Sequence, residues 1–132
     1  MNALYVETSA LLAAVFHEPR GNETVGRLKG ADRLVASRLL RIEAERALLR
    51  LAIERPKADR AIPPMRRQLN RFWPKLDFIE ISKDICDLAA RIAPAARLRT
   101  LDAIHLATYH HVRELVPTLA MLSFDDRILE QV

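Results

Sequence analysis

Four acidic side chains stand where a folded chain could gather them: Glu7, Glu43, Asp102 and Asp125. Glu7 follows the apolar run Leu4-Tyr5-Val6, and Asp125 comes just after Leu119-Ala120-Met121-Leu122. Asp102 lies in the first turn of a helical stretch, and Glu43 sits among Leu39, Leu40, Ala44 and Ala47. Carboxylates crowded together repel one another unless a cation neutralises them, and hard oxygen donors favour Mg²⁺ or Mn²⁺ over zinc. A crevice lined in this way suits phosphodiester hydrolysis, in which a metal activates water and stabilises the departing oxygen.

Each acid also has a plainer structural reading. Asp102 near a helix N-terminus complements the macrodipole, and Asp125 can cap a helix. Glu43 is harder to explain away, because its neighbours one turn off put it on the apolar face of its helix. Glu45, about 200° round the same helix, is the solvated acid of the two. A buried carboxylate needs a partner, so Glu43 calls for Arg46, Arg50 or a metal ion.

The elements that must position these acids alternate between strand and helix. Strands are expected at Leu4-Tyr5-Val6, Leu34-Val35-Ala36, Phe78-Ile79-Glu80-Ile81 and Leu119-Ala120-Met121-Leu122. Thr8 and Ser9 offer caps for a helix over residues 10–16, Ser37 for a long one ending before Pro56, and Thr100 for one over residues 101–112. Shorter helices are expected over residues 23–29, from Ser82 to a break at Pro94, and over residues 126–130. This order predicts an α/β fold with a mostly parallel central sheet and helices on both faces, in one domain spanning residues 1–132. In an open parallel sheet, strand carboxyl ends and the helix starts beside them face one crevice, so acids distant in sequence can converge there.

The 132 residues, half of them hydrophobic and 29% charged, suffice for a globular core. Three glycines leave no Gly-rich phosphate loop, which excludes the P-loop and dinucleotide fingerprints. His17, His105, His110 and His111 lack zinc-protease spacing, and His105 reads as a structural histidine. Cys86 is alone, so it forms no intrachain disulfide; it points to a reducing compartment and reads as a small buried hydrophobe. With no membrane-length apolar run and no signal peptide pattern, a cytoplasmic location is expected. The net charge of +4 tilts towards a polyanionic partner. Much of it lies in residues 56–74, read as an arm within the domain, where Arg66, Arg67 and Arg71 are candidate RNA contacts. Phe72 and Trp73 beside them could stack on a base but are expected to pack in the core or an interface.

Four blocks taken together resemble the PIN-domain nucleases, specifically the VapC-type toxins of bacterial toxin–antitoxin systems. They are Leu4-Tyr5-Val6-Glu7-Thr8-Ser9-Ala10-Leu11-Leu12, Leu40-Arg41-Ile42-Glu43, Leu98-Arg99-Thr100-Leu101-Asp102-Ala103-Ile104-His105-Leu106-Ala107 and Leu122-Ser123-Phe124-Asp125-Asp126-Arg127-Ile128-Leu129. The third is the most specific, and in order and spacing the blocks span nearly the whole chain. The resemblance implies a PIN-like three-layer sandwich, Mg²⁺- or Mn²⁺-dependent endoribonuclease activity on an RNA substrate, and a homodimer. It also implies inhibition by a cognate antitoxin whose tail occupies the acidic crevice. Glu43, Asp102 and Asp125 fall on the family's acidic, metal-binding positions. Ser9 falls on its small hydroxyl position, where it would orient a carboxylate, and Asp126 is the neighbour to take if the register at Asp125 shifts by one. One position departs: the family ordinarily has aspartate where this chain has Glu7. The added methylene moves the carboxylate by about 1–1.5 Å. Two readings follow: a nuclease weakened at Glu7, or an impaired relative that mainly binds its antitoxin or RNA.

Overall fold

Along β1 (Ala3–Val6) every residue is buried, and alternate side chains enter different cores. Leu4 and Val6 join one cluster, while Ala3 and Tyr5 join the other. A strand with no polar face belongs inside a sheet covered on both sides. The computed structural model, which describes residues 1–132, has β1 paired in parallel with β2 (Arg33–Ser37) and with β4 (Ala120–Leu122). β2 pairs in parallel with β3 (Leu76–Ile79), giving the order β3-β2-β1-β4. The expected parallel α/β sheet with helices on both faces is therefore present, and all four strands are parallel.

One face is covered by α1 (Thr8–Val15), α3 (Arg38–Glu54) and α4 (Ile62–Phe72), whose Leu11, Val15, Leu40, Leu48 and Leu69 pack on Leu4, Val6 and Leu34. α6 (Thr100–Leu115) and the short α7 (Asp126–Leu129) cover the other with Tyr109, Val112 and Ile128. Fully burying a side chain of this size contributes about 1.5–3 kcal/mol each, so the two clusters hold the sheet from both sides. α2 (Gly21–Gly30) packs on α1 and comes so close that a Cβ on Gly21 would lie 2.5 Å from the Ala13 carbonyl oxygen. No helix is long and apolar enough to cross a membrane.

Several boundaries differ from those the sequence predicts, each for a local reason. β3 begins two residues early, at Leu76, because its register on β2 (Leu34 with Leu76, Ser37 with Ile79) buries Leu76. Glu80 then leaves the strand to pair with Arg38. α5 (Lys83–Ala89) stops well before Pro94, and Ala93 takes a left-handed φ of 48° ahead of that proline. Cys86 is exposed rather than buried: α5 turns only Ile85 fully inward, and Cys86 lies about 100° further round. In the basic arm, Trp73 is buried and packs on Phe72 and Phe78, so these aromatics do belong to the core.

Candidate functional site

The carboxyl ends of β1, β2 and β4 lead into α1, α3 and α7, which brings Glu7, Glu43 and Asp125 to one edge of the sheet. Asp102 arrives from the first turn of α6 on the second face. Neither Thr8 nor Ser9 caps α1. Glu7 does so itself, its Oε2 accepting the Ser9 amide at 3.1 Å. Its Oε1 accepts from the hydroxyls of Ser9 at 2.5 Å and Ser123 at 2.6 Å. Those serines in turn accept the amides of Phe124 and Asp125, stitching the ends of β1 and β4 together. Glu7 is thus buried with both oxygens engaged inside the protein.

Asp102 and Asp125 meet through a shared cation. Arg127 forks onto Asp125, with Nε 3.3 Å from Oδ1 and Nη2 3.1 Å from Oδ2. The same Nη2 lies 3.7 Å from Oδ2 of Asp102. Asp102 also accepts from the backbone amide and Nε of Arg99, and so caps α6 in place of Thr100. Asp125 caps α7 through the Arg127 amide. Asp126 is exposed in the first turn of α7.

Burial works to raise the pKa of Asp125, but the hydrogen bonds and charge of Arg127, with Arg99 adding, hold it below the usual aspartate range. A folded-state value below the unfolded one means stability that is present above the unfolded pKa and is lost as pH falls through the folded one. Denaturant unfolding followed from about pH 5 down to pH 2 is therefore expected to show a shallower acid loss in Asp125→Asn than in the parent chain. Parallel acid profiles would remove Asp125 from this ion pair.

Glu43 is half-buried, and its partners are neither Arg46 nor Arg50. Its Oε1 accepts from Thr8 Oγ1 at 2.5 Å and pairs with His105 Nε2 at 2.6 Å. His105 is buried, and its Nδ1 lies 2.8 Å from the Tyr5 hydroxyl. Arg46 and Arg50 instead line an open groove of about 470 Å³ between α1 and α3. No local spacing in the sequence marks this pairing, which joins residues 62 apart. Which carboxylate His105 meets depends on where α3 and α6, on opposite faces, reach the carboxyl edge of the sheet.

The donor set suits a hard divalent cation in kind, since every candidate ligand is a carboxylate oxygen. Asp102 and Asp125 already flank one positive group, which a cation could replace. As the side chains lie, however, no three His, Cys, Asp or Glu residues are grouped closely enough to hold a metal ion. Glu7 is turned to its serines and Glu43 to His105. In the basic arm, Arg66 pairs with Glu45 at 2.6 Å, leaving Arg67 and Arg71 as the unpaired cations of the proposed RNA set.

Acids gathered at the carboxyl edge of a parallel sheet define a ligand crevice of the type found in open α/β folds. The chain belongs to the PIN-domain family, whose model matches residues 4–132. It is similar to ribonuclease VapC46 of Mycobacterium tuberculosis, with 34% identity over 97% of this chain and 88% of that one. It is also similar to ribonuclease VapC35 of the same organism, with 32% identity over 96% of this chain and 87% of the other. Among solved structures, PAE2754 from Pyrobaculum aerophilum superposes with a TM-score of 0.61 at 21% identity, covering 99% of this chain and 80% of that one. VapBC2 from Rickettsia felis, bound to a DNA fragment from its promoter, gives 0.56 at 13% identity, covering 93% and 99%. At such identities the structures speak for the fold alone. The family resemblance carried by the sequence blocks is borne out.

Proposed function

We propose that this chain is a metal-dependent endoribonuclease that acts as the toxin of a toxin–antitoxin pair in the cytoplasm. The observation that carries this reading is the approach of Asp102 and Asp125 to a single guanidinium at the carboxyl edge of the sheet. Relatives named as ribonucleases, matched over nearly the whole chain, support it. Asp102 and Asp125, with Glu43 and Glu7 alongside, would hold Mg²⁺ or Mn²⁺, which supplies an activated water and charge stabilisation at the cleaved phosphodiester. The protein's own part is to keep these carboxylates oriented and close to basic groups that attract the RNA backbone. Arg46 and Arg50 beside Glu43 suit that task, as do Arg67 and Arg71 on the arm.

The groove between α1 and α3 suits the antitoxin. Leu12, Phe16, Leu39, Ile42 and Leu51 line it, and Glu43 opens into it. An apolar helix could lie along this groove and direct a cationic tail towards the acids. A homodimer is the assembly in keeping with the family resemblance. The test is cleavage of RNA by the purified chain with Mg²⁺ or Mn²⁺, repeated with excess EDTA. Cleavage that needs the metal is the expected result, and undiminished cleavage in EDTA would overturn the metal-dependent reading.

A specific observation favours a second reading, in which the chain mainly binds antitoxin or RNA: both oxygens of Glu7 are bonded within the protein. Tight RNA binding without cleavage in any metal would favour it over the first.

A further inference from the structure

We propose that His105 is a positioning residue for Glu43, held in a single tautomer by the Tyr5 hydroxyl so that one defined carboxylate oxygen faces the crevice. The inference rests on the reading of Glu43 as one of the site acids.

Tyr5, His105 and Glu43 form a chain from the second core to the crevice, with links of 2.8 Å and 2.6 Å. Tyr5 is fully buried, and burial pushes its ionisation far above the usual range, with the Glu7 and Glu43 charges adding to the effect. The phenol therefore keeps its proton. An ionised Glu43 only accepts hydrogen bonds, so the nitrogen facing it must carry hydrogen. With Nε2 donating to Glu43, the proposed tautomer leaves Nδ1 to accept the Tyr5 O–H at 2.8 Å. Both ring nitrogens are then satisfied, and the ring cannot flip without leaving a buried polar group unpaired.

The consequence for Glu43 is directional. Thr8 and His105 both bond Oε1, and no protein group bonds Oε2. A carboxylate on a flexible side chain, at the half-buried rim of an apolar groove, is thereby fixed with one oxygen committed inward and the other open. Thr8 is the residue next to Glu7, so the same clamp ties the end of β1 to α3.

The tautomer is read directly from the imidazole nitrogen shifts of His105 in ¹⁵N-labelled protein. A protonated Nε2 with an unprotonated Nδ1 is expected. A protonated Nδ1, whether in the other tautomer or the imidazolium, would overturn the proposal. Kinetics provide the second arm. Removing a group that orients a metal-binding carboxylate typically costs about 10- to 100-fold in activity, so His105→Leu is expected to lose about that much in kcat with KM little changed. His105→Gln, which keeps an N–H donor on a side chain of similar reach, is expected to recover most of the loss. Tyr5→Phe keeps the ring packing against Tyr109 and serves if His105→Leu fails to fold; a several-fold fall in kcat is expected. If kcat in these variants follows only their melting temperatures, with no recovery by glutamine, the role is structural and the proposal fails. A parent chain that cleaves no RNA would sink the nuclease reading, while the tautomer measurement would still decide this one.

Discussion

Replacing Asp102 with asparagine is expected to slow RNA cleavage by about 10²–10³-fold, the cost typical of removing one preorganised charge-stabilising group from a catalytic site. Asparagine keeps an oxygen that can accept the Arg99 amide, so the start of α6 stays capped. What it removes is the negative charge between Arg99 and Arg127. Both guanidiniums remain, so the crevice turns more positive and opposes entry of a divalent cation. The stability cost is expected to be small by comparison, because the α6 cap survives and both arginines stay in contact with solvent. Initial rates of RNA cleavage, set beside thermal unfolding curves, separate the two effects. A rate within about twofold of the parent at equal stability would remove Asp102 from the site.

Asp102 was legible in the sequence because its signals are local: it stands in the first turn of a helix, inside the most specific block. Glu7 and Asp125 were legible for a related reason. Each ends a short apolar run, and the carboxyl ends of parallel strands share an edge whatever the details of packing. The burial of β1 on both faces agrees with the apolar run Leu4-Tyr5-Val6. The features that escaped depend on contacts between distant segments. Glu43 and His105 are 62 residues apart, and α3 also offered Arg46 and Arg50 at plausible spacing. Only the placement of α3 and α6 on the two faces of the sheet decides among the three. Ser37 and Ser82 cap α3 and α5 as expected, but the caps of α1 and α6 were misplaced because serine and threonine usually cap through their own hydroxyls. Here the carboxylates of Glu7 and Asp102 cap instead, which leaves Thr8 and Ser9 to bond carboxylates. Cys86 shows the opposite limit. Its apolar character suggested burial, but a seven-residue helix with one fully buried side chain leaves most of its surface to solvent.

The other large expected effect is a gain. Glu7→Asp is expected to raise the rate of RNA cleavage by about 10²-fold, the penalty that a displacement of roughly 1 Å can impose on a catalytic group. In the parent chain the longer side chain carries its carboxylate back between two serines and onto the Ser9 amide, so three hydrogen bonds hold both oxygens within the protein. Aspartate is among the preferred helix caps and can keep the Ser9 amide with one oxygen. Its carboxylate sits about 1–1.5 Å nearer the backbone, too short to keep all three contacts, which frees the other oxygen for the crevice shared by Asp102 and Asp125. The fold has little to lose, since the cap survives and Ser9 and Ser123 still hold the amides of Phe124 and Asp125. Glu7→Gln is the control. It keeps the length and one accepting oxygen but lacks the charge and the second acceptor, so no gain is expected from it. Equal rates for Glu7→Asp and the parent would mean that Glu7 is already a competent member of the site. A gain in Glu7→Asp alone would mean that the added methylene, rather than any loss of charge, holds the parent enzyme back.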